Sequence, residues 1–335
     1  MLCIFPPHHA QHQAPAEIFN GQRDEHQETP ARLERIMSSL KDNSFEIEPF
    51  TAALPDTLLA KVHTPAYLKF LQRQATVLEV DSYLYPSVFK YRTGTMSQNP
   101  LAQLGYYSFD LYTPLGELTY QAALDSATCA YQVAKIIQTT TVKTAYALGR
   151  PPGHHAESDQ MGGYCYLNNA AIAAEYLSEF GKVATLDVDF HHGNGTQHIF
   201  YQRKDVMTTS IHADPNWKFP FFSGYNQEIG ENEGEGYNYN IPLQKGITNE
   251  KYQHHLEITL QKITDFNPLY LVVSFGADTH EADPIGGFKL TTEYFTTMAR
   301  TIRQLNLPTA IIQEGGYNTN ILGDNVVRFL QGFED

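Results

Sequence analysis

Four short apolar runs, 144–148, 183–188, 269–275 and 309–313, constrain this chain more than any other feature. Each is rich in apolar and β-branched residues, is four to eight residues long and reads as a buried strand. Segments near 168–180, 196–203, 250–265 and 291–305 carry helical patterning between them. Strands alternating with helices predict an α/β fold with a central, mainly parallel sheet flanked by helices. Each run ends in residues that a core rejects: Gly149-Arg150-Pro151-Pro152-Gly153-His154-His155, then Asp187 to Gly193, then Gly276-Ala277-Asp278, then Glu314-Gly315-Gly316-Tyr317. All four clusters fall just past a strand's C-terminal end, the edge where open α/β sheets bind ligands. Four remote segments therefore meet in one crevice.

The densest cluster is Leu186-Asp187-Val188-Asp189-Phe190-His191-His192-Gly193. Side chains alternate along an extended chain, so Asp187, Asp189 and His191 share one face. Carboxylate and imidazole at that spacing suit a divalent metal with mixed N and O ligands, zinc by default. One such residue would merely cap a strand end. Several ionisable groups beside a buried strand need partners, because burying an unpaired ion costs several kcal/mol.

Composition bounds the alternatives. With 335 residues and 42% hydrophobic content the chain can bury a large core. A net charge of -14 argues against a nucleic-acid binder, since phosphate contacts need clustered Lys and Arg. It is compatible with a cationic small substrate and equally with ordinary solubility charge. Three cysteines, Cys3, Cys129 and Cys165, form no disulfide or Cys-x-x-Cys pattern and point to the cytoplasm. Nothing resembles a signal peptide or a membrane span. Residues 8–28, with His8, His9, His12 and His26, have the composition of a solvated loop, as does the acidic stretch 228–235. Thr29-Pro30 and Thr64-Pro65 each predict a helix start, and 120–139 a long buried helix. Residues 81–105 show neither period. A structureless loop of that length is usually functional, and its aromatics should cover a site mouth or a partner subunit. No linker or repeat divides the chain, so 1–335 reads as one domain with an insertion at 81–105.

These clusters, together with Gly162-Gly163-Tyr164-Cys165-Tyr166-Leu167-Asn168-Asn169, resemble the zinc-dependent histone deacetylase and acetylpolyamine amidohydrolase superfamily. The resemblance spans nearly the whole chain and is nearest to the acetylpolyamine amidohydrolase branch. It implies an arginase/deacetylase-like fold in which Asp189, His191 and Asp278 bind Zn²⁺, with Fe²⁺ the alternative occupant. It pairs His154 with Asp187 and His155 with Asn194. A structural K⁺ is implied at Asp187 and Ser210. Tyr164 and Phe222 are implied as aromatic walls of a narrow tunnel, with Gly163 and Tyr112 beside the substrate. Zinc lowers the pKa of bound water and polarises an amide carbonyl. His155 then acts as the base that later protonates the amine, His154 as its charged partner, and Tyr317 donates to the oxyanion.

Two departures matter. Many histone-type relatives carry Asp where this chain has Asn194, which raises His155 basicity less. Dedicated polyamine deacetylases place carboxylates where this chain has Leu101 and Tyr112. The expected activity is hydrolysis of N-acetyl amides of small amines such as acetylpolyamines, by a homodimer joined through 81–105. An acetyl-lysine protein or peptide deacylase and a non-catalytic acyl-amine binding protein are the alternatives; a ureohydrolase shares the strand-end logic but needs ligands for two metals, and the sequence offers them for one.

Overall fold

The structure, a computed structural model, describes residues 1–77, 82–90 and 96–334. Strands β1 (Leu2–Phe5), β2 (Glu17–Phe19), β3 (Gln22–Asp24), β4 (Glu46–Pro49), β5 (Tyr83–Leu84) and β6 (Leu115–Gly116) come first. Strands β7 (Thr144–Ala147), β8 (Val183–Asp187), β9 (Val206–Ala213), β10 (Asn238–Leu243), β11 (Tyr270–Phe275) and β12 (Thr309–Gln313) follow. Helices α1 (Pro30–Asp42), α2 (Asp56–Val62), α3 (Pro65–Val77), α4 (Pro100–Tyr106) and α5 (Thr119–Thr139) precede β7. Helices α6 (Asn169–Ser178), α7 (Asn194–Phe200), α8 (Asn249–Phe266), α9 (Thr292–Arg303) and α10 (Leu322–Glu334) complete the chain.

Eight strands form one parallel sheet in the order β10-β9-β8-β11-β12-β7-β1-β4. The four expected strands, β8, β11, β12 and β7, are its adjacent centre. Alternation places Leu186, Val273 and Ile311 on one face, packed with α1, α8, α9 and α10. Val183, Val272 and Ile312 face the other way, among α2, α3, α5 and α6. Both faces are covered, so these strands read as continuous apolar runs. Each fully buried Val, Leu or Ile contributes roughly 1.5–3 kcal/mol.

From β8 the chain continues to β9 on one side, and from β11 to β12 on the other. The carboxyl ends of β8 and β11 therefore flank a topological switch point, where such sheets open a crevice. Asp189 and His191 follow β8, and Asp278 follows β11.

Several local expectations are corrected. The insertion is not structureless over its described part. Asn99 Oδ1 caps α4 by accepting from Leu101 N–H at 2.9 Å, and β5 pairs with β6. Two of its aromatics bond within the same chain, Tyr85 donating to Ala16 O at 2.6 Å and Tyr83 Oη accepting from Gln13 N–H at 2.8 Å, while Phe89 is exposed. Tyr91 lies outside the described residues. Residues 8–28 are a solvated loop only in part: His8 and residues 19–25 are exposed, but the segment forms the β2–β3 hairpin and buries His12 and His26. In the acidic stretch, Glu231, Glu233 and Glu235 are exposed as expected, while Glu228 accepts from Gly224 N–H at 2.9 Å. Thr29 precedes Pro30 at the start of α1, yet its side chain makes no capping bond.

Candidate functional site

The sheet's C-terminal edge brings Asp189, His191 and Asp278 together, all buried, with ligand atoms within 4.8 Å of one another. His191 Nδ1 lies 3.1 Å from Asp278 Oδ2 and 3.5 Å from Asp189 Oδ1. Backbone N–H groups hold the carboxylates. Phe190 N–H donates to Asp278 Oδ1 at 3.1 Å, and Gly315 N–H donates to Asp189 Oδ2 at 2.8 Å. Glycine is required beside them. A Cβ on Gly276 would sit 2.0 Å from Asp189 Oδ2, and one on Gly315 2.4 Å from Asp278 Oδ2.

The donor set fits a metal on its chemistry. Burial and the neighbouring Asp189 push the Asp278 pKa up to about 7. Burial would raise Asp189 as well, but the charges of His154 and His191 outweigh it and hold this carboxyl low. Two carboxylates in one dry pocket need positive charge between them, and a divalent cation supplies it. Asp187 does not continue the stack with Asp189 and His191, because β8 ends there. Its Oδ2 instead meets His154 Nδ1 at 2.9 Å, and its Oδ1 accepts from Asp189 N–H at 3.0 Å.

The two histidines beyond β7 differ in charge state. Burial alone would lower the His154 pKa, but Asp189 and Asp187 outweigh it and raise it to about 10. Burial, reinforced by His154 and His191, drives His155 well below the ordinary imidazole value. Asn194 Nδ2 donates to Glu157 Oε1 at 3.0 Å and to His155 O at 3.3 Å, which leaves its Oδ1 as an acceptor. His155 Nδ1 lies 2.8 Å from that oxygen and so carries the proton, leaving Nε2 free to accept one.

A cavity of about 450 Å³ reaches this group and is lined by His155, His191, Gly163, Tyr164, Tyr112 and Tyr317 among others. Tyr164 is buried and donates to Glu17 Oε2 at 2.6 Å. Phe222 is not the second aromatic wall, being 94% exposed. Phe219 takes that place, its ring edge-on to His155 at 4.9 Å. The chain turns between Phe219 and Phe222, and no period in the sequence tells which of the phenylalanines turns inward. Leu101 is exposed and outside the lining, whereas Tyr112 lies against Phe219 at 5.9 Å.

Ser210 pairs in register with Asp187, and both line a small polar cavity. Ser210 Oγ lies 2.7 Å from His212 Nδ1.

Sequence reasoning missed several supporting groups. Arg32, an ordinary α1 residue by pattern, donates to Gly316 O and Glu314 O, both at 2.6 Å, and covers the Tyr317 ring at 4.6 Å. Glu28 pairs with Arg32 and Arg150. Glu314 Oε2 accepts from Gly153 N–H at 2.6 Å and His154 N–H at 3.1 Å, tying the β12 end to the β7 end. Asp110, buried, accepts from the N–H groups of Gly163, Tyr112 and Thr113. Lys218 lines the cavity, and burial lowers its pKa while Asp278 and Asp283 oppose the shift. The one available signal was the placement of Glu314 beside the Gly-Gly pair.

Comparison with known proteins agrees with this geometry. Residues 26–333 match the histone deacetylase domain model. Acetylpolyamine amidohydrolase 1 of Pseudomonas aeruginosa is 38% identical, over 100% of this chain and 99% of the relative. The acetylpolyamine amidohydrolase of Mycoplana ramosa is 39% identical, over 99% of each. A crystal structure of acetylpolyamine aminohydrolase from Burkholderia pseudomallei superposes with a TM-score of 0.94 at 36% identity, covering 99% of this chain and 98% of that one. The chain belongs to the histone deacetylase domain family.

Proposed function

We propose that this protein is a metal-dependent deacetylase that hydrolyses N-acetyl amides of small amines, acetylated polyamines among them. The observation that carries the reading is the convergence of a buried Asp189, His191 and Asp278 group with a neutral His155 at the floor of one cavity. Asp189, His191 and Asp278 would hold Zn²⁺, with Fe²⁺ the alternative occupant. When bound, the ion supplies Lewis acidity to the amide carbonyl and acidifies water.

His155 Nε2 takes the proton of the attacking water and returns it to the departing amine, while Asn194 fixes its tautomer. His154 stays cationic beside Asp187 and favours the negative charge that develops. Tyr317 donates its hydroxyl to the oxyanion, braced by Arg32 over its ring and by Asp283 Oδ2 accepting from its N–H at 2.7 Å. Gly163, Tyr164, Tyr112 and Phe219 confine the acyl-amine chain. Asp187 and Ser210 would hold K⁺ at the polar cavity between β8 and β9. The relatives' names support a small acetylated amine as substrate. The whole chain forms one deacetylase domain, which dimerises through the 81–105 insertion, and its three free, buried cysteines suit a cytoplasmic setting.

The test is acetate release by the zinc-loaded protein from acetylputrescine, acetylcadaverine, acetylspermidine, Nε-acetyl-lysine and acetyl-lysine peptides. Turnover confined to the peptides would overturn the small-amine reading, and no turnover at all would overturn deacetylation.

A further inference from the structure

The cavity above the metal-ligand group is not uniformly acidic. Segment 17–27 brings Glu17 and Asp24 to its lining, and the loop after β9 brings Lys218 to the same lining. Lys218 is half-buried. Among the described residues its ammonium makes no hydrogen bond or ion pair, and its one aromatic contact is with the Phe190 ring, over which it lies 5.6 Å from the centroid. Asp278 and Asp283 favour its charge from beyond ion-pair distance, but a partly desolvated cation with no direct counter-ion remains costly, and a bound anion relieves that cost. A simple acetylated diamine cannot provide one, because its far end is another ammonium and repels Lys218. An α-amino acid head carries both signs, as this lining does.

We propose that Lys218 is an anion subsite in the active-site cavity, so that the preferred substrate is an acetylated diamino acid, Nε-acetyl-lysine or a near homologue. This rests on the deacetylase reading above and narrows its substrate class. The carboxylate of the amino acid head pairs with Lys218, and the α-ammonium meets the carboxylates of segment 17–27. A charge-assisted pair with the ammonium is among the stronger polar contacts a small ligand can make.

Acetylcadaverine and Nε-acetyl-lysine isolate the effect, since they share the acetamide and the carbon chain and differ only by the α-carboxylate. The measurement is the ratio of kcat/KM for Nε-acetyl-lysine to that for acetylcadaverine, in zinc-loaded wild type, Lys218→Met and Lys218→Arg. We expect a wild-type ratio of about 10 or more, a fall of about tenfold or more in Lys218→Met, and recovery in Lys218→Arg. The amide of Nε-acetyl-lysine, which keeps the α-ammonium and lacks the carboxylate, should behave like acetylcadaverine. Each ratio is taken within one protein preparation, so the fraction of folded enzyme cancels. A wild-type ratio of one or less, or a ratio that Lys218→Met leaves unmoved, overturns the subsite while deacetylation stands. Failure of the wild type on both substrates and on acetylputrescine and acetylspermidine overturns the small-amine reading on which the subsite rests, and failure on acetyl-lysine peptides as well overturns deacetylation itself.

Discussion

Gly276→Ala asks whether the two buried carboxylates form the metal site as placed. The added Cβ would lie 2.0 Å from Asp189 Oδ2, 2.5 Å from its Cγ and 2.6 Å from Asp278 Oδ1. Real Cβ atoms essentially never approach closer than 3.0 Å, so the Asp189 carboxylate must retreat by about 1 Å in a close-packed interior. That movement strains the 2.8 Å bond from Gly315 N–H. Zinc–carboxylate distances tolerate deviations of only about 0.2 Å, so the displacement takes one ligand out of a set of three. Altering a group that only supports a ligand already costs about 10–100-fold in affinity. We therefore expect zinc affinity to fall by about 100-fold or more, or roughly 2.7 kcal/mol. Competition against a chromophoric chelator at neutral pH measures the change, with circular dichroism to verify the fold. A folded Gly276→Ala protein that binds zinc within about threefold of wild type would refute the placement of these carboxylates around the ion.

Tyr317→Phe should bind zinc normally and lose about 100- to 1000-fold in kcat, as removal of an oxyanion donor does; kcat within about tenfold of wild type would exclude that role. Asn194→Asp should raise the acidic limb of the pH–rate profile by about a unit, because a carboxylate stabilises protonated His155. Glu157 Oε1 faces the same amide at 3.0 Å, so the full shift needs Glu157→Gln alongside; an unmoved limb in the double variant removes Asn194 from proton transfer. Burial raises the Asp110 pKa from 3.8 to about 6. An acid with a raised folded pKa favours the fold while protonated, so this contribution is present below about pH 4 and lost as pH rises through about 6. Denaturant titrations should show wild-type stability relative to Asp110→Asn falling by about 3 kcal/mol at most across that window, and a pH-independent difference would contradict the assignment. Phe219→Ala should raise KM for every acetylated amine by about tenfold, whereas Phe222→Ala, at a 94% exposed position, should leave it within about twofold; the reverse order would restore Phe222 to the wall.

Burial explains how much of the fold the sequence disclosed. β7, β8, β11 and β12 are covered on both faces, so their apolar runs stand out. The outer strands lack that signature. β4 is largely exposed and reads Glu-Ile-Glu-Pro, and β9 is buried but carries Thr208, Thr209, Ser210 and His212. Those polar groups are satisfied by tertiary partners that no local pattern reveals, as when Thr209 Oγ1 donates to Thr185 O at 2.8 Å. The N-terminal histidines were hidden for the same reason. His26 meets Glu28 O at 2.9 Å and Tyr112 O at 3.1 Å, so single side chains of a stretch with loop composition are buried.

The site divides along a related line. Asp189, His191, Asp278, His154 and Tyr317 lie at most eight residues beyond a central strand, so the register of β7, β8, β11 and β12 fixes where they meet. Their types announce the chemistry and the sheet supplies the geometry. The cavity walls come from segments 17–27, 110–113 and 217–221, whose positions depend on hairpins and turns rather than on the sheet. A phenylalanine there faces inward or outward according to one turn, which is why the sequence points to Phe222 where Phe219 forms the wall. Glu17 and Lys218 are two hundred residues apart, and only the folded chain brings them to one lining. Catalytic chemistry in this fold is thus legible from strand ends, while substrate choice is written in loops that the strand pattern does not constrain.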